Sequence, residues 1–136
     1  MKLIDTNVFL YARGRPHAYQ EPCRALIMRV AQQPNAFGVD VELLQEVLHF
    51  YWGRKDLATG FSLFSDISAL CPDPEPITGT IITEARRILE ANPILSPRDA
   101  VHAAVVLNRR LEGLVTTDRG FRAVAGLQVW DPTELL

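Results

Sequence analysis

Lysine is almost missing from this chain: Lys2 and Lys55 are the only two, and every other cation is arginine. The net charge is -2 and the pI is near 5.9, which excludes a protein that grips nucleic acid by bulk positive charge. Cysteine is scarce as well. Cys23 and Cys71 stand apart from each other and from any histidine at ligand spacing, so a zinc site and a disulfide framework are both excluded. They read as small core residues in a reducing compartment. No apolar run approaches the length of a membrane span; Ala100 to Leu107 stops at Asn108-Arg109-Arg110. Met1-Lys2-Leu3-Ile4-Asp5 puts charge where a secretory leader needs its apolar run. A cytoplasmic protein with no membrane association is therefore expected.

What is present suits one ordinary domain. The chain has 136 residues, 48% of them hydrophobic, enough for a core without a staple. Short apolar runs alternate with helical patterns, as in a parallel α/β sheet. Strands are expected at Met1 to Ile4, Phe37 to Val39, Ile67 to Cys71, Leu114 to Thr117 and Leu127 to Trp130. Helices are expected at Ala18 to Gln32, after the cap Asp40 with Val41, Leu44, Val47, Leu48 and Tyr51 facing inward, at Leu57 to Ser65 and at Ile77 to Leu89. Ser96-Pro97-Arg98-Asp99 is a further helix start, with an N-cap serine and a proline in the first turn. The segment Pro72-Asp73-Pro74-Glu75-Pro76 reads as a stiff linker. The expected fold is a single three-layer α/β domain over residues 1–136, with a central parallel sheet of about five strands flanked by helices.

The acids fall where such a sheet binds ligands. Asp5 and Asp118 each follow a strand directly, Asp99 lies in the first turn of a helix, and Glu46 sits one turn into the helix after the second strand. Clustered carboxylates raise one another's pKa, so a fold tolerates them best beside a cation. Oxygen ligands without His or Cys select a hard ion, Mg2+ or Mn2+, and such a site suits phosphodiester hydrolysis. Each acid taken alone also has a structural reading: Asp5 and Asp99 as helix caps, Asp118 as a turn former, Glu46 as part of a solvated helix face.

The joint pattern resembles a known family. Leu3-Ile4-Asp5-Thr6-Asn7-Val8, Leu44-Gln45-Glu46-Val47, Ser96-Pro97-Arg98-Asp99-Ala100 with His102-Ala103-Ala104, and Val115-Thr116-Thr117-Asp118-Arg119-Gly120-Phe121 look like the four motifs of PIN domains. Size and motif order are similar to the VapC-type ribonuclease toxins. The resemblance implies that Asp5, Glu46, Asp99 and Asp118 are the catalytic acids, with Asp5, Asp99 and Asp118 as ligands to Mg2+ or Mn2+. It implies supporting hydrogen bonds from Thr6, Asn7 and Thr117, an RNA substrate, and a cognate antitoxin that covers the groove. Glu42 lies one turn before Glu46 on the same face and competes with it; the neighbours Leu44-Gln45 favour Glu46.

The remaining candidates read as structural. His17 falls in a loop, and His49 and His102 lie on helices beside apolar residues; His102, one turn after Asp99, is expected to be a satisfied core histidine. Phe50-Tyr51-Trp52 with Phe61 and Phe64 exceed the needs of one small core and suggest a patch for a second copy in a homodimer or for the antitoxin. A receiver or haloacid-dehalogenase-like phosphatase also places an Asp after its first strand. Both need a late lysine, and here none follows Lys55. A degenerate PIN-like module that only binds protein would have eroded acids, and here all are present. A PIN nuclease of RNA processing, not a toxin, shares the same acids and stays open.

Overall fold

Every strand of the central sheet is only two or three residues long, and every pairing is parallel. In a computed structural model describing residues 1–136, Lys2–Ile4 forms β1, Phe37–Gly38 β2, Gly113–Val115 β3 and Val129–Trp130 β4. The order across the sheet is β2-β1-β3-β4. The helices are α1 (Thr6–Arg13), α2 (Gln20–Gln32), α3 (Val41–Gly53), α4 (Leu57–Leu70), α5 (Gly79–Ala91) and α6 (Pro97–Arg109). Short 3-10 turns cover Arg119–Ala123 and Pro132–Leu135.

Strand alternation divides the core. Neighbouring strand residues point to opposite faces, so Ile4 and Val115 join one apolar cluster with Val8, Leu26, Leu43 and Leu63. Leu3 and Leu114 join the other with Ile81, Ala104 and Phe121. Helices α1 to α4 thus cover one face and α5 and α6 the other, giving the expected three layers.

The sheet has four strands where about five were expected, because Ile67 to Cys71 is not a strand. Residues Ile67 to Leu70 continue α4, and Cys71 is its C-cap. A short apolar run does not separate strand from buried helix; here Gly60, Leu63 and Ile67 keep helical spacing and bury together. Helix α3 is also turned from its expected setting. Leu43, Val47 and Tyr51 are buried, while Val41 is 37% exposed and Leu44 and Leu48 are half-buried, because α3 packs chiefly on α4 and also touches α1 and α6. The proline-rich segment stays irregular, with one bridge between Asp40 and Glu75.

A candidate active site at the carboxyl edge of the sheet

Each of the four strands is followed one to three residues later by an aspartate, and each aspartate caps the helix or turn after it. Asp5 accepts from Thr6 N, Asp40 from Leu43 N, Asp118 from Gly120 N and Asp131 from Thr133 N. Capping explains why the residue type stands there. It does not explain what gathers around β1 and β3, the central pair of the sheet.

Asp5 is 4% exposed, and both of its oxygens are engaged. Oδ1 accepts from Thr6 N at 2.7 Å, and Oδ2 accepts from the Thr116 hydroxyl at 2.7 Å. The same Thr116 hydroxyl accepts from Asp118 N at 3.0 Å and from Asn7 Nδ2 at 3.4 Å. Thr116 therefore ties the Asp5 carboxylate to the backbone that presents Asp118. The hydroxyl that reaches Asp5 is that of Thr116, which is buried on the site side, and Thr117 is half-buried beside it. Strand alternation makes this a one-residue choice.

Glu46 reaches the same place from α3. Its Oε2 accepts from the Thr6 hydroxyl and lies 3.2 Å from His102 Nε2. His102 is fully buried, with Nδ1 2.6 Å from Asp40 Oδ2 and Nε2 3.6 Å from Asp5 Oδ1. The expectation of a satisfied buried histidine holds, but its partners are carboxylates of the site. Burial alone would lower the His102 pKa. The Asp40 charge and hydrogen bond, the Glu46 hydrogen bond and the Asp5 charge outweigh it and hold the pKa well above the ordinary value. A carboxylate oxygen facing each ring nitrogen favours the imidazolium form, in which both nitrogens donate.

The other acids respond to this arrangement. Asp5 is raised to about 6, first by burial and then by the charges of Asp99 and Glu46, against the lowering effects of His102 and Thr116. Burial raises Glu46, but His102, Thr6 and Arg98 pull it below the usual range. Asp99, half-buried, is raised by burial and by the charges of Asp118 and Glu46. Asp99 and Asp118 make no direct hydrogen bond between their carboxylates and the other acids; the charges of Asp99 and Asp118 reach the cluster from its rim. Glu42 is raised, chiefly by burial and then by Glu46, and it bonds to none of them.

The donor set fits a hard divalent cation. Single ligand atoms of Asp5, Glu46 and His102 lie within 4.8 Å of one another. The carboxylates of Asp5 and Glu46 supply the oxygens that a hard ion takes, and His102, facing carboxylates on both nitrogens, offsets part of their charge. Asn7 adds a buried oxygen, Oδ1, that has no hydrogen-bond partner in the protein. An orphaned buried acceptor beside acids is a group that a cation or its water satisfies.

A family model for the PIN domain matches residues 2–127. The chain belongs to the PIN-domain family. It is 30% identical over 128 residues to ribonuclease VapC13 of Mycobacterium tuberculosis, covering 94% of this chain and 98% of that one. Ribonuclease VapC7 of the same organism is 30% identical over 122 residues, covering 89% of this chain and 84% of the relative. Among solved structures, FitAcB from Neisseria gonorrhoeae aligns with a TM-score of 0.73 at 20% identity, over 98% of this chain and 99% of that chain. VapBC2 from Rickettsia felis, bound to a DNA fragment from its promoter, aligns with a TM-score of 0.69 at 17% identity, over 96% and 98%. These likenesses bear out the fold class and the family read from the motifs.

Proposed function

We propose that this PIN domain, residues 1–136, is a metal-dependent endoribonuclease that hydrolyses RNA phosphodiester bonds and is the toxin of a toxin–antitoxin pair. One observation carries the reading: a buried, doubly anchored Asp5 stands beside Glu46 at the sheet's carboxyl edge, in a chain 30% identical to VapC ribonucleases. Asp5, Asp99 and Asp118 are the proposed ligands to Mg2+ or Mn2+, with Glu46 completing the acidic quartet. The bound ion would activate water and absorb charge on the phosphate and on the leaving oxygen.

The chain's own groups prepare that chemistry. Thr116 fixes the Asp5 carboxylate through Oδ2, and Thr6 N fixes it through Oδ1, so the ligand oxygens are ordered before substrate arrives. His102 keeps Glu46 ionised and turned into the site, where it is an acceptor that orients the attacking water. Asn7 offers Oδ1 to the same small volume.

The partner is proposed from the neighbours, which include a toxin-antitoxin complex from Klebsiella pneumoniae aligned with a TM-score of 0.65. Trp52 and Phe61, 62% and 58% exposed on α3 and α4, are the apolar surface offered to an antitoxin or to a second copy in a homodimer. No helix is long and apolar enough to cross a membrane; cytoplasmic action is part of the proposal. The test is cleavage of total cellular RNA by the purified chain with Mg2+, Mn2+ or EDTA, alongside Asp5→Asn. Metal-dependent cutting lost in the variant supports the reading, and cutting that persists in EDTA overturns it.

A further inference from the structure

Two stripes of residues lead away from the carboxylate site along neighbouring helices. On α1 the i, i+4 spacing runs from Asn7 through Tyr11 toward Arg15, just past the helix end. On α3 it runs from Glu46 through Phe50 to Arg54, just past Gly53. Both helices begin at the carboxyl edge of the sheet, so both stripes start at the acids and descend on the order of 10 Å. Between them lies an open groove of about 810 Å³, which Asn7 joins to the site.

The groove has the opposite character to the site above it. Arg13, Arg15 and Arg54 line it in a chain whose net charge is -2. Arg13 is held by Asp66 and Ser62, whereas Arg15 and Arg54 pair with no carboxylate. The one acid on the wall, Asp56, is turned to Thr59 as the cap of α4. The Arg54 guanidinium lies over the Phe50 ring at 4.3 Å, so the cation is held against the wall. Opposite, the His17 ring lies 4.6 Å from that of Tyr11 and 6.0 Å from that of Tyr19, its Nδ1 accepts from Tyr19 N at 3.1 Å, and the residue is exposed. Free guanidinium groups beside an exposed ring are a recurring means of holding single-stranded nucleic acid, by phosphate contacts and base stacking together.

We propose that this groove is a subsite for unpaired ribonucleotides next to the scissile phosphate, with Arg15 and Arg54 on the backbone and His17, backed by Tyr11, under a base. The proposal rests on the nuclease reading and names where its substrate lies. It also accounts for a chain acidic overall that acts on a polyanion: three of its arginines line one path that leads from the site.

The test uses the full chain in EDTA, where nothing is cleaved, with a short fluorescein-labelled single-stranded RNA of mixed sequence. Binding is read by anisotropy across a salt series for wild type, Arg15→Ala/Arg54→Ala and His17→Ala. All three positions are exposed, and melting temperatures verify folding. The double variant should bind about tenfold more weakly, with a salt slope flatter by about 1.4, two phosphates at roughly 0.7 each on a single strand. His17→Ala should weaken binding about tenfold with the slope unchanged, since stacking releases no counterions. In Mg2+, cleavage by the double variant should show a raised KM with kcat nearly kept. Wild-type affinity and slope in the double variant, alongside wild-type cleavage, would overturn the subsite while leaving the nuclease reading intact. Slope-dependent binding by a wild type that cuts no RNA in any metal would overturn the nuclease reading and keep the groove as an RNA site. A glutamate-rich peptide that binds more tightly than RNA and ignores His17→Ala would overturn the proposal in favour of a protein occupant.

Discussion

His102 Nδ1 lies 2.6 Å from Asp40 Oδ2 in the dry interior, and the other oxygen of that carboxylate caps α3 by accepting from Leu43 N at 2.9 Å. One aspartate therefore fixes both the helix that carries Glu46 and the histidine that pairs with Glu46. Removing the cation while leaving the acids should be far worse than removing one acid. We expect His102→Gln to destabilise by about 3–5 kcal/mol, because buried Asp40 loses its counter-charge. That corresponds to a fall of roughly 10 °C or more in melting temperature for a chain of this size. Asp40→Asn keeps a capping oxygen and should lose less. A denaturation series in which the two variants fall equally would mean that the imidazolium is not the counter-charge.

Asp5→Asn should lower cleavage by roughly 100-fold or more, as expected when a ligand charge is removed. The amide is not innocent for folding. Asp5 accepts from two donors, and Thr116 Oγ already accepts from Asp118 N and Asn7, so an inserted N–H meets a filled acceptor. The variant should therefore be inactive and also modestly less stable. RNA cleavage at the wild-type rate in Mg2+ would remove Asp5 from the site.

Thr116 and Thr117 give a sharper comparison. Thr116→Val deletes the donor to Asp5 and the acceptor for Asp118 N, and we expect about a 10–100-fold loss of activity, typical of groups that orient ligands. Thr117→Val should stay within about threefold, having no such bonds to lose. Initial rates on one RNA preparation decide it, and a larger loss in Thr117→Val would place the wrong face of the strand in the site.

Glu46→Gln should reduce cleavage by roughly 100-fold and Glu42→Gln by less than about threefold. Glu46 bonds to Thr6 and His102, whereas Glu42 senses the cluster only through its charge. Equal losses would mean that both acids face the substrate from a helix whose buried face is Leu43, Val47 and Tyr51.

Asp5 and Asp118 are legible in the sequence because strand ends in a parallel sheet share an edge, and Glu46 because it stands in a motif. Asp40 reads as a cap and His102 as a satisfied buried histidine, and each reading holds in isolation. Their meeting is not legible, because it joins positions 62 residues apart through side-chain geometry alone. Ile67 to Cys71 misleads for another reason: five residues are too few to carry a period. The part played by Thr116 is not legible, because a strand of three residues leaves its register open where the chain leaves the sheet.

Without a metal ion the acids repel one another, and Asp99 is the place to measure it. Its pKa is raised, first by burial and then by Asp118 and Glu46, so its ionised form is disfavoured in the fold. A raised carboxyl pKa means that the fold is favoured while the group is protonated, and that this advantage is lost as pH rises through the folded pKa. Above that range, in EDTA, Asp99→Asn should melt higher than wild type, by roughly 1–3 °C for a half-exposed charge. The backbone cap of α6 survives, since the acceptor for Asp99 N is Ser96 Oγ, and the pull of His102 and Ser96 on the ionised carboxylate is outweighed by burial and repulsion. Mg2+ should raise the wild-type melting temperature with the logarithm of its concentration and raise that of Asp99→Asn much less. Asp5 adds a pH signature. Its carboxyl titrates at about 6 without metal, so cation binding below that pH must displace a proton. Apparent Mg2+ affinity should climb by up to about tenfold per pH unit below about 6 and level off above it. Destabilisation of Asp99→Asn in EDTA, together with an Mg2+ response equal to that of the wild type, would remove Asp99 from the cluster and leave it a residue of the first helical turn.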